Sequence, residues 1–401
     1  GLALDARGRW FFHGKILKIG TRELRNCLHV MNKKKIMVVI GTRPEAVKMA
    51  PVIRALRKDP AFETIVCLTA QHREMMDQVL EIFDIQADVD LNLMHEDQSL
   101  PDLTASILTQ MSQVLREQNP DWVLVQGDTT TVMTTALAAF YNQVRVGHIE
   151  AGLRSFNKWA PYPEEINRKI AGIIADLHFA PTEGAVRNLL NEGIPAEICH
   201  VTGNTVIDAL HYAADLPFDI ASSALKDVPF GQKQILTVTA HRRENHGKPL
   251  EDICRAILRL SEEFSERIHF VFPVHLNPGV RSIVYQMLAD RPNIQLLDPL
   301  DYLTMVQLLK RTHILLTDSG GLQEEAPGLG VPVLVLREVT ERPEGVASGN
   351  VRLTGADPDK IYHQVSLLLE NPEEWQRMAN AKNPYGDGHA AERILQILYK
   401  V

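Results

Sequence analysis

The chain has no apolar run approaching the ~20 residues that a membrane-spanning helix needs, so no membrane partner is expected. Cysteine is scarce. Cys27, Cys67, Cys199 and Cys254 lie far apart, with no CxxC or zinc spacing. That spacing offers no disulfide framework and fits the reduced, buried or half-buried thiols of a cytosolic protein, so a cytoplasmic location is expected. No long basic run follows the start and the formal net charge is −8, so no nucleic-acid footprint is indicated. A phosphate-bearing ligand would have to meet local cations and helix ends instead. No solenoid repeat or low-complexity tract is visible. No cluster of His, Cys and carboxylates has zinc spacing, and the glycine turns lack a Gly-x-Gly-x-x-Gly dinucleotide fingerprint. Neither a metal nor a nicotinamide cofactor is expected.

What remains is an ordinary globular composition, 45% hydrophobic and 23% charged. The 401 residues correspond to two or three domains at roughly 150 residues each. Residues 1–30 do not fit the rest. They carry Arg7, Arg9, Lys15, Lys18, Arg22 and Arg25 without a long apolar region, a poor signal peptide. Met31, followed by Asn32-Lys33-Lys34-Lys35 and a strand, reads as a natural start, and residues 1–30 read as an extension outside the fold.

From there, short apolar runs alternate with helix-period segments. Residues 36–40, 64–69, 122–125, 144–149, 235–239, 269–274, 314–317 and 331–336 read as buried strands. Their lack of in–out alternation fits parallel strands covered on both faces. Residues 45–58, 103–118, 164–175, 250–264 and 302–310 read as helices. The alternation predicts an α/β protein with two doubly wound, Rossmann-like domains. It pauses at Leu216-Pro217, Pro229 and Gly231-Gln232-Lys233. The expected organisation is a first domain over 31–213, a hinge over 214–233, a second domain over 234–385, and a closing helix within 386–401 that packs back on the first domain. Ligands would lie in the cleft between the domains, at the carboxyl ends of the strands.

Four motifs fall at such strand ends. In Gly41-Thr42-Arg43-Pro44-Glu45 a glycine permits a tight turn and Pro44 suits a helix start. Arg43 thus stands beside a helix N-terminus that favours phosphate, with Lys48 one turn on; the bland reading is a plain turn with a surface arginine. Thr317-Asp318-Ser319-Gly320-Gly321-Leu322-Gln323-Glu324-Glu325 repeats the arrangement across the hinge. Ser319 can cap the helix or donate to a phosphate oxygen, Gly320 and Gly321 allow close approach of a ligand, and Glu325 could accept from ribose hydroxyls or simply suit a first helical turn.

The third motif is a set of carboxylates. Asp128 and Glu150 follow successive strands, and Glu164-Glu165 opens a helix. Each has a structural alternative: Asp128 as an N-cap, Glu164 and Glu165 as partners of the helix dipole, Arg168 as the i+4 partner of Glu164. Together, at the ends of one sheet, they suggest acid–base work on a sugar. Adjacent helix residues project about 100° apart, so only one of Glu164 and Glu165 should face the cleft. In the fourth motif, His241 ends the strand 235–239, where it could sit over a diphosphate; His275 ends the next strand and competes with it.

These residues resemble a known family. GTRPEAVKMAP at 41–51, AQHREMMDQVL at 70–80, QGDTTT at 126–131, HIEAGLRS at 148–155, PEEINR at 163–168, TGNTVIDA at 202–209, AHRREN at 240–245, TDSGGLQEEAPGLGVPVLVLRE at 317–338 and TERPEG at 340–345 are similar to those of bacterial non-hydrolysing UDP-N-acetylglucosamine 2-epimerases. The resemblance implies a glycosyltransferase-B type fold, action as a homodimer, and no cofactor. It also implies interconversion of UDP-N-acetylglucosamine and UDP-N-acetylmannosamine through 2-acetamidoglucal and UDP, with the product feeding polysaccharide biosynthesis. By motif matching, Asp128, Glu150 and Glu164 carry the acid–base roles and His241 helps UDP leave. Arg43, Lys48, Arg168, Ser319, Gly320 and Gly321 hold the diphosphate, Glu325 holds the ribose, and Arg342 is a further cleft cation. Gln71, His72 and Arg73 match a loop that binds a second UDP-N-acetylglucosamine as an allosteric activator. The chain departs from some members at Met305, where they carry an aromatic side chain. A hydrolysing 2-epimerase, a glycosyltransferase of the same fold and a non-catalytic UDP-sugar sensor are the competing readings.

Overall fold

The computed structural model describes residues 33–69, 73–93 and 98–401, with backbone alone at 73–75. It also gives the backbone of three short antiparallel strands, Leu2–Leu4, Trp10–Phe12 and Lys15–Ile16, which form a sheet of their own. Two larger parallel sheets follow. The first contains β1 (Lys34–Ile40), β2 (Phe62–Leu68), β3 (Val89–Asp90), β4 (Trp122–Gln126), β5 (Arg145–Ile149), β6 (Leu177–Ala180) and β7 (Cys199–Val201), in the order β7-β6-β5-β4-β1-β2-β3. The second contains β8 (Gln234–Thr239), β9 (Ile268–Pro273), β10 (Ile294–Leu297), β11 (Thr312–Thr317), β12 (Val333–Val335) and β13 (Val351–Leu353), in the order β10-β9-β8-β11-β12-β13. In both, the first strand lies between the second and the fourth. The topological switch point thus falls between β1 and β4 in one sheet and between β8 and β11 in the other. Crevices for ligands open outside the carboxyl ends at such points.

The strands are parallel and buried because their sequences are apolar on both faces. Ile36 to Ile40 are all essentially inaccessible. The even side chains Ile36, Val38 and Ile40 join the core with helix α1 (Arg43–Lys58), while Met37 and Val39 join the core on the opposite face. β3, β6, β7, β10 and β13 were not singled out in the sequence. They are short, and β6 carries the fully buried His178 in its middle, which interrupts the apolar run.

The other helices that place the site are α2 (Arg73–Ile82), α3 (Leu100–Gln118), α4 (Thr130–Tyr141), α5 (Glu164–Ile174), α6 (Glu183–Asn191) and α7 (Thr205–Asp215) on the first half. In the second half they are α8 (Lys248–Glu263), α9 (Pro278–Leu288), α10 (Tyr302–Leu309), α11 (Gly320–Glu325), α12 (Pro343–Ser348), α13 (Pro358–Glu370) and α14 (Pro372–Ala379), and the chain closes with α15 (Ala390–Leu398). α7 serves both halves. Val206, Ile207 and Ala209 pack in the first core, while Leu210, Ala213 and Ala214 pack on Val306 of α10. Gln307 Nε2 donates to the carbonyls of Ala213 and Ala214 at the end of α7. The stretch after α7 packs on the second sheet through Leu225 and Val228, against Ile235, Val271 and Leu308.

α15 returns to the first half. Ala391, Ile394, Leu395 and Leu398 join the core of β1 and α1. Its ends are held by charges that suit its dipole: Asp208 accepts from the N–H groups of Ala390 and Ala391, and Lys34 Nζ donates to the carbonyl of Leu398 at 2.6 Å. No helix among the described residues is long and apolar enough to cross a membrane. Ile394 is fully buried, so Ile394→Ala should leave a cavity and lower unfolding free energy by about 2–5 kcal/mol in urea titration.

Candidate active site

The turn after β1 is built by a carboxylate. Thr42 is the N-cap of α1 and accepts from Glu45 N–H, while Glu45 reaches back to Thr42 N–H, a reciprocal capping box. Glu45 also accepts from Gly41 N–H at 2.5 Å and from the Thr129 hydroxyl at 2.6 Å, so it ties the β1 turn to the β4 turn. Burial pushes its carboxyl up to about 7, against the opposing pull of the Thr129 and Gly41 bonds. Gly41 is required by proximity: a Cβ there would lie 2.4 Å from Thr131 Oγ1 of α4. Arg43 is the first residue of α1 and makes no hydrogen bond or ion pair with the described residues.

Asp128 follows β4. Thr129 caps α4, accepting from Val132 N–H, so the N-cap reading of Asp128 is not the one realised. Its carboxylate instead accepts from Arg168 Nε at 2.9 Å and Nη2 at 2.5 Å. Arg168 also donates to Glu165 at 3.0 Å. It therefore pairs with Glu165 and Asp128, not with Glu164. Glu150 follows β5 with φ +61°, a rare conformation for a residue with a side chain. Two residues on, Gly152 has φ +86°, and a Cβ there would lie 2.3 Å from Ala185 O. Glu150 pairs with Lys48 at 2.5 Å. Burial alone would raise the Glu150 carboxyl, but Lys48 outweighs it and the net direction is down; Lys48 is correspondingly held upward by Glu150 against its own burial. His148 Nε2 lies 2.7 Å from Gly127 O, which links the strand carrying Glu150 to the turn carrying Asp128.

Glu164 and Glu165, the first two residues of α5, differ in their partners. Glu165 is buried and accepts from Ser155 N–H at 3.0 Å, Phe156 N–H at 3.1 Å and Arg168. Glu164 Oε2 is buried without a hydrogen-bond partner. A cavity of about 440 Å³ is lined by Thr42, Arg43, Glu45, Lys48, Asp128 and Glu150, among others.

Across the molecule, the β8 and β11 turns meet through Asp318. His241 Nδ1 lies 3.1 Å from Asp318 Oδ1, and the His241 ring stacks on His275 with centroids 5.7 Å apart. Ser319 occupies the N-cap of α11 without a side-chain capping bond, which leaves its hydroxyl available. Gly320 and Gly321 open the helix. Burial, and then the neighbouring charge of Glu324, push the Glu325 carboxyl up to about 7, opposed by Lys48 and Arg43 of the first half. Glu324 is itself buried, binds Asn204 Nδ2 at 2.8 Å and pairs with Arg342. A second cavity of about 550 Å³ lies between the halves, with Arg154, Arg168 and Asn204 on one side and Glu324, Arg342 and Glu344 on the other.

The structure thus brings Arg43, Lys48, Asp128 and Glu150 to one cavity, with Arg168 bridging to the second and Arg342 facing it. Glu164, His241, Ser319, Gly320, Gly321 and Glu325 line neither cavity. Three of the four cations assigned to the diphosphate or cleft are already engaged by carboxylates: Lys48, Arg168 and Arg342. Gln71 and His72 lie outside the described residues, and Arg73 is placed only as the first residue of α2. Sequence reasoning passed over Glu45, although the spacing Thr42-x-x-Glu45 is a capping-box signal. It also passed over Glu324 and Asp318, for which only proximity in the fold gives a role. Among the described residues no group of three His, Cys, Asp or Glu is arranged to hold a metal ion.

Comparison with known proteins identifies the family. A family model described as UDP-N-acetylglucosamine 2-epimerase matches residues 54–399. The chain belongs to this family. It is 49% identical over 369 residues to the UDP-N-acetylglucosamine 2-epimerase of Escherichia coli K12, covering 91% of this chain and 98% of that one. The crystal structure of UDP-GlcNAc 2-epimerase from Neisseria meningitidis bound to UDP-GlcNAc superposes with a TM-score of 0.80 at 48% identity, covering 92% of this chain and all of that one. The Methanocaldococcus jannaschii UDP-GlcNAc 2-epimerase in complex with UDP-GlcNAc and UDP gives 0.72 at 34% identity, with 92% and 100% coverage. These relationships place the glycosyltransferase-B type of architecture, two parallel α/β units, on firm ground.

The contrast between the paired glutamates is measurable. Glu165→Gln should lose about 1.5–3 kcal/mol in urea unfolding, the usual range for a buried bond to a charged group, whereas Glu164→Gln should stay within about 0.5 kcal/mol. Glu325 supplies a pH test. Its folded-state pKa is raised, so its contribution to stability is present below pH about 4.5 and lost as pH rises through about 7. Glu325→Gln cannot titrate and should gain stability relative to the parent across that window, read from denaturation midpoints at a series of pH values.

Proposed function

We propose that the protein interconverts UDP-N-acetylglucosamine and UDP-N-acetylmannosamine as a non-hydrolysing epimerase. The observation that carries this reading is the set Asp128, Glu150 and Glu164 at the carboxyl end of the first sheet, with His241 and Ser319 at the corresponding end of the second. Membership of the 2-epimerase family and the sugar nucleotide bound in two relatives supply the substrate class.

In the proposed reaction the C2 proton passes to a carboxylate as the C1–O bond to UDP breaks, which leaves 2-acetamidoglucal and UDP. UDP then adds back to C1, and C2 takes a proton on the opposite face. Two faces need more than one carboxyl group, for which Asp128, Glu150 and Glu164 are the proposed set. Glu164, with an unpartnered buried oxygen, is suited to accept or deliver a proton, while Lys48 keeps Glu150 ionised. Arg43 is the cation free for the diphosphate, joined by the Ser319 hydroxyl and the backbone of Gly320 and Gly321. Lys48, Arg168 and Arg342 act on it from their carboxylate pairs. Glu325 would accept from the ribose hydroxyls, and His241 would assist UDP departure. No cofactor enters this scheme. A homodimer acting in the cytoplasm for polysaccharide biosynthesis, and activation by a second UDP-N-acetylglucosamine at Gln71-His72-Arg73, belong to the same proposal on the strength of the motifs.

The glucal and UDP must be held away from water until they recombine, as closed sites do. In heavy water, NMR should therefore show deuterium at C2 of both UDP-sugars, approach to one equilibrium from either side, and only slow leakage of UDP. The exchange should fall at least ~10²-fold in Glu164→Gln. Stoichiometric release of UDP with free N-acetylmannosamine would identify a hydrolysing enzyme instead.

A further inference from the structure

Asp318 is a fully buried carboxylate in the middle of the β11 turn, and the chemistry proposed above does not use it. Its oxygens have separate tasks. Oδ2 accepts from the backbone N–H of His241 and of Arg242, each at 2.8 Å, and from Asn245 Nδ2 at 2.9 Å. Three donors occupy that oxygen and latch the β8 turn to the β11 turn. Oδ1 is buried with no hydrogen bond to another group and lies 3.1 Å from His241 Nδ1, within ion-pair reach. Burial disfavours the charged form, but the bonds from His241 and Arg242 outweigh it and hold the carboxyl below its ordinary pKa. An ionised carboxylate accepts and cannot donate. A hydrogen on the ring nitrogen that faces an ionised carboxylate is favoured over a bare lone pair there, which leaves the other imidazole nitrogen as the acceptor. Nε2 is the nitrogen left for a ligand, on a ring 39% exposed against 0% for the aspartate. The two residues are 77 apart in sequence, which is why the motifs read separately give no hint of the pair.

We infer that Asp318 is the positioning residue of His241: it fixes the ring in the Nδ1–H tautomer and aims Nε2 at the departing diphosphate. This rests on the reading of His241 given above. A role confined to latching the two turns would need Oδ2 alone.

Asp318→Asn separates the two roles. The amide keeps an oxygen for the backbone donors, but its NH2 group then meets Nδ1 and requires an acceptor there, which drives the ring to the other tautomer. ¹⁵N NMR of histidine-labelled protein should show Nδ1–H for the neutral His241 ring in the parent and Nε2–H in the variant. A double-mutant cycle supplies the catalytic readout. Asp318→Asn should lower kcat at least ~10²-fold in the parent, but change it by no more than about threefold in a His241→Ala background, with UDP binding retained. A bare Nδ1 in the parent, an unchanged tautomer in the variant, or equal losses in both backgrounds overturns the inference. The parent spectrum decides the first point even if the variant does not fold. Full kcat in His241→Ala would overturn the role given to His241, and with it the catalytic half of this inference, while the NMR result still decides the Asp318–His241 link.

Discussion

The cleft has to solve a problem of like charge. Asp128, Glu150 and Glu324 line its two cavities, Glu164 and Glu325 are the other carboxylates of the proposed site, and its proposed ligand is itself an anion. Left unpaired, these groups would repel one another and the ligand. The structure answers with local pairing: Lys48 on Glu150, Arg168 on Asp128 and Glu165, Arg342 on Glu324. Removing one partner of such a buried pair leaves an uncompensated charge, which is costly. The rest of the site is arranged to keep each pair whole. Of these five, Glu164 and Glu325 are the two left without a paired cation among the described residues.

Pairing also explains why the cations cannot be assigned from sequence as simple phosphate ligands. A lysine one turn into a helix beside a glycine turn looks the same whether it meets a phosphate or a glutamate 102 residues away. The architecture was legible because parallel strands buried on both faces leave unbroken apolar runs. The carboxylates at strand ends were legible because the switch-point rule says where such residues collect. That Glu164 and Glu165 should have different surroundings follows from helix geometry. What was not legible depends on distant pairs. Arg168 chose Glu165 and Asp128 because the β4 turn lies over α5, and Thr129 displaced Asp128 as the cap because its hydroxyl also answers Glu45. Short strands such as β3 and β13 carry too few residues for any periodicity to register.

Glu45 and Asp318 stand on opposite sides of the switch points of the two sheets, Glu45 after the first strand of one and Asp318 after the fourth strand of the other. Each is a buried carboxylate beside a switch point that ties two turns together: Glu45 holds the N–H groups of its own turn and reaches Thr129 of the β4 turn, whereas Asp318 reaches from the β11 turn to the backbone and side chains of the β8 turn. Each half thus uses a buried acid to set the spacing of two turns at the switch point. The similarity is one of physical solution: a crevice between diverging helices has free N–H groups on its floor, and a buried carboxylate can satisfy several at once.

The packing of α15 has a consequence for how the protein is made. The core around β1 and α1 is completed by Ile394 and Leu398, at the far end of the chain. During synthesis domains tend to fold as they emerge, the N-terminal one first. Here the first half leaves the ribosome with the groove over α1 and α7 still bare, and it stays bare until the entire second half has been translated. The unit that is first in sequence is the last to be sealed, and an interrupted or truncated chain would present that apolar groove to the cell's chaperones and proteases.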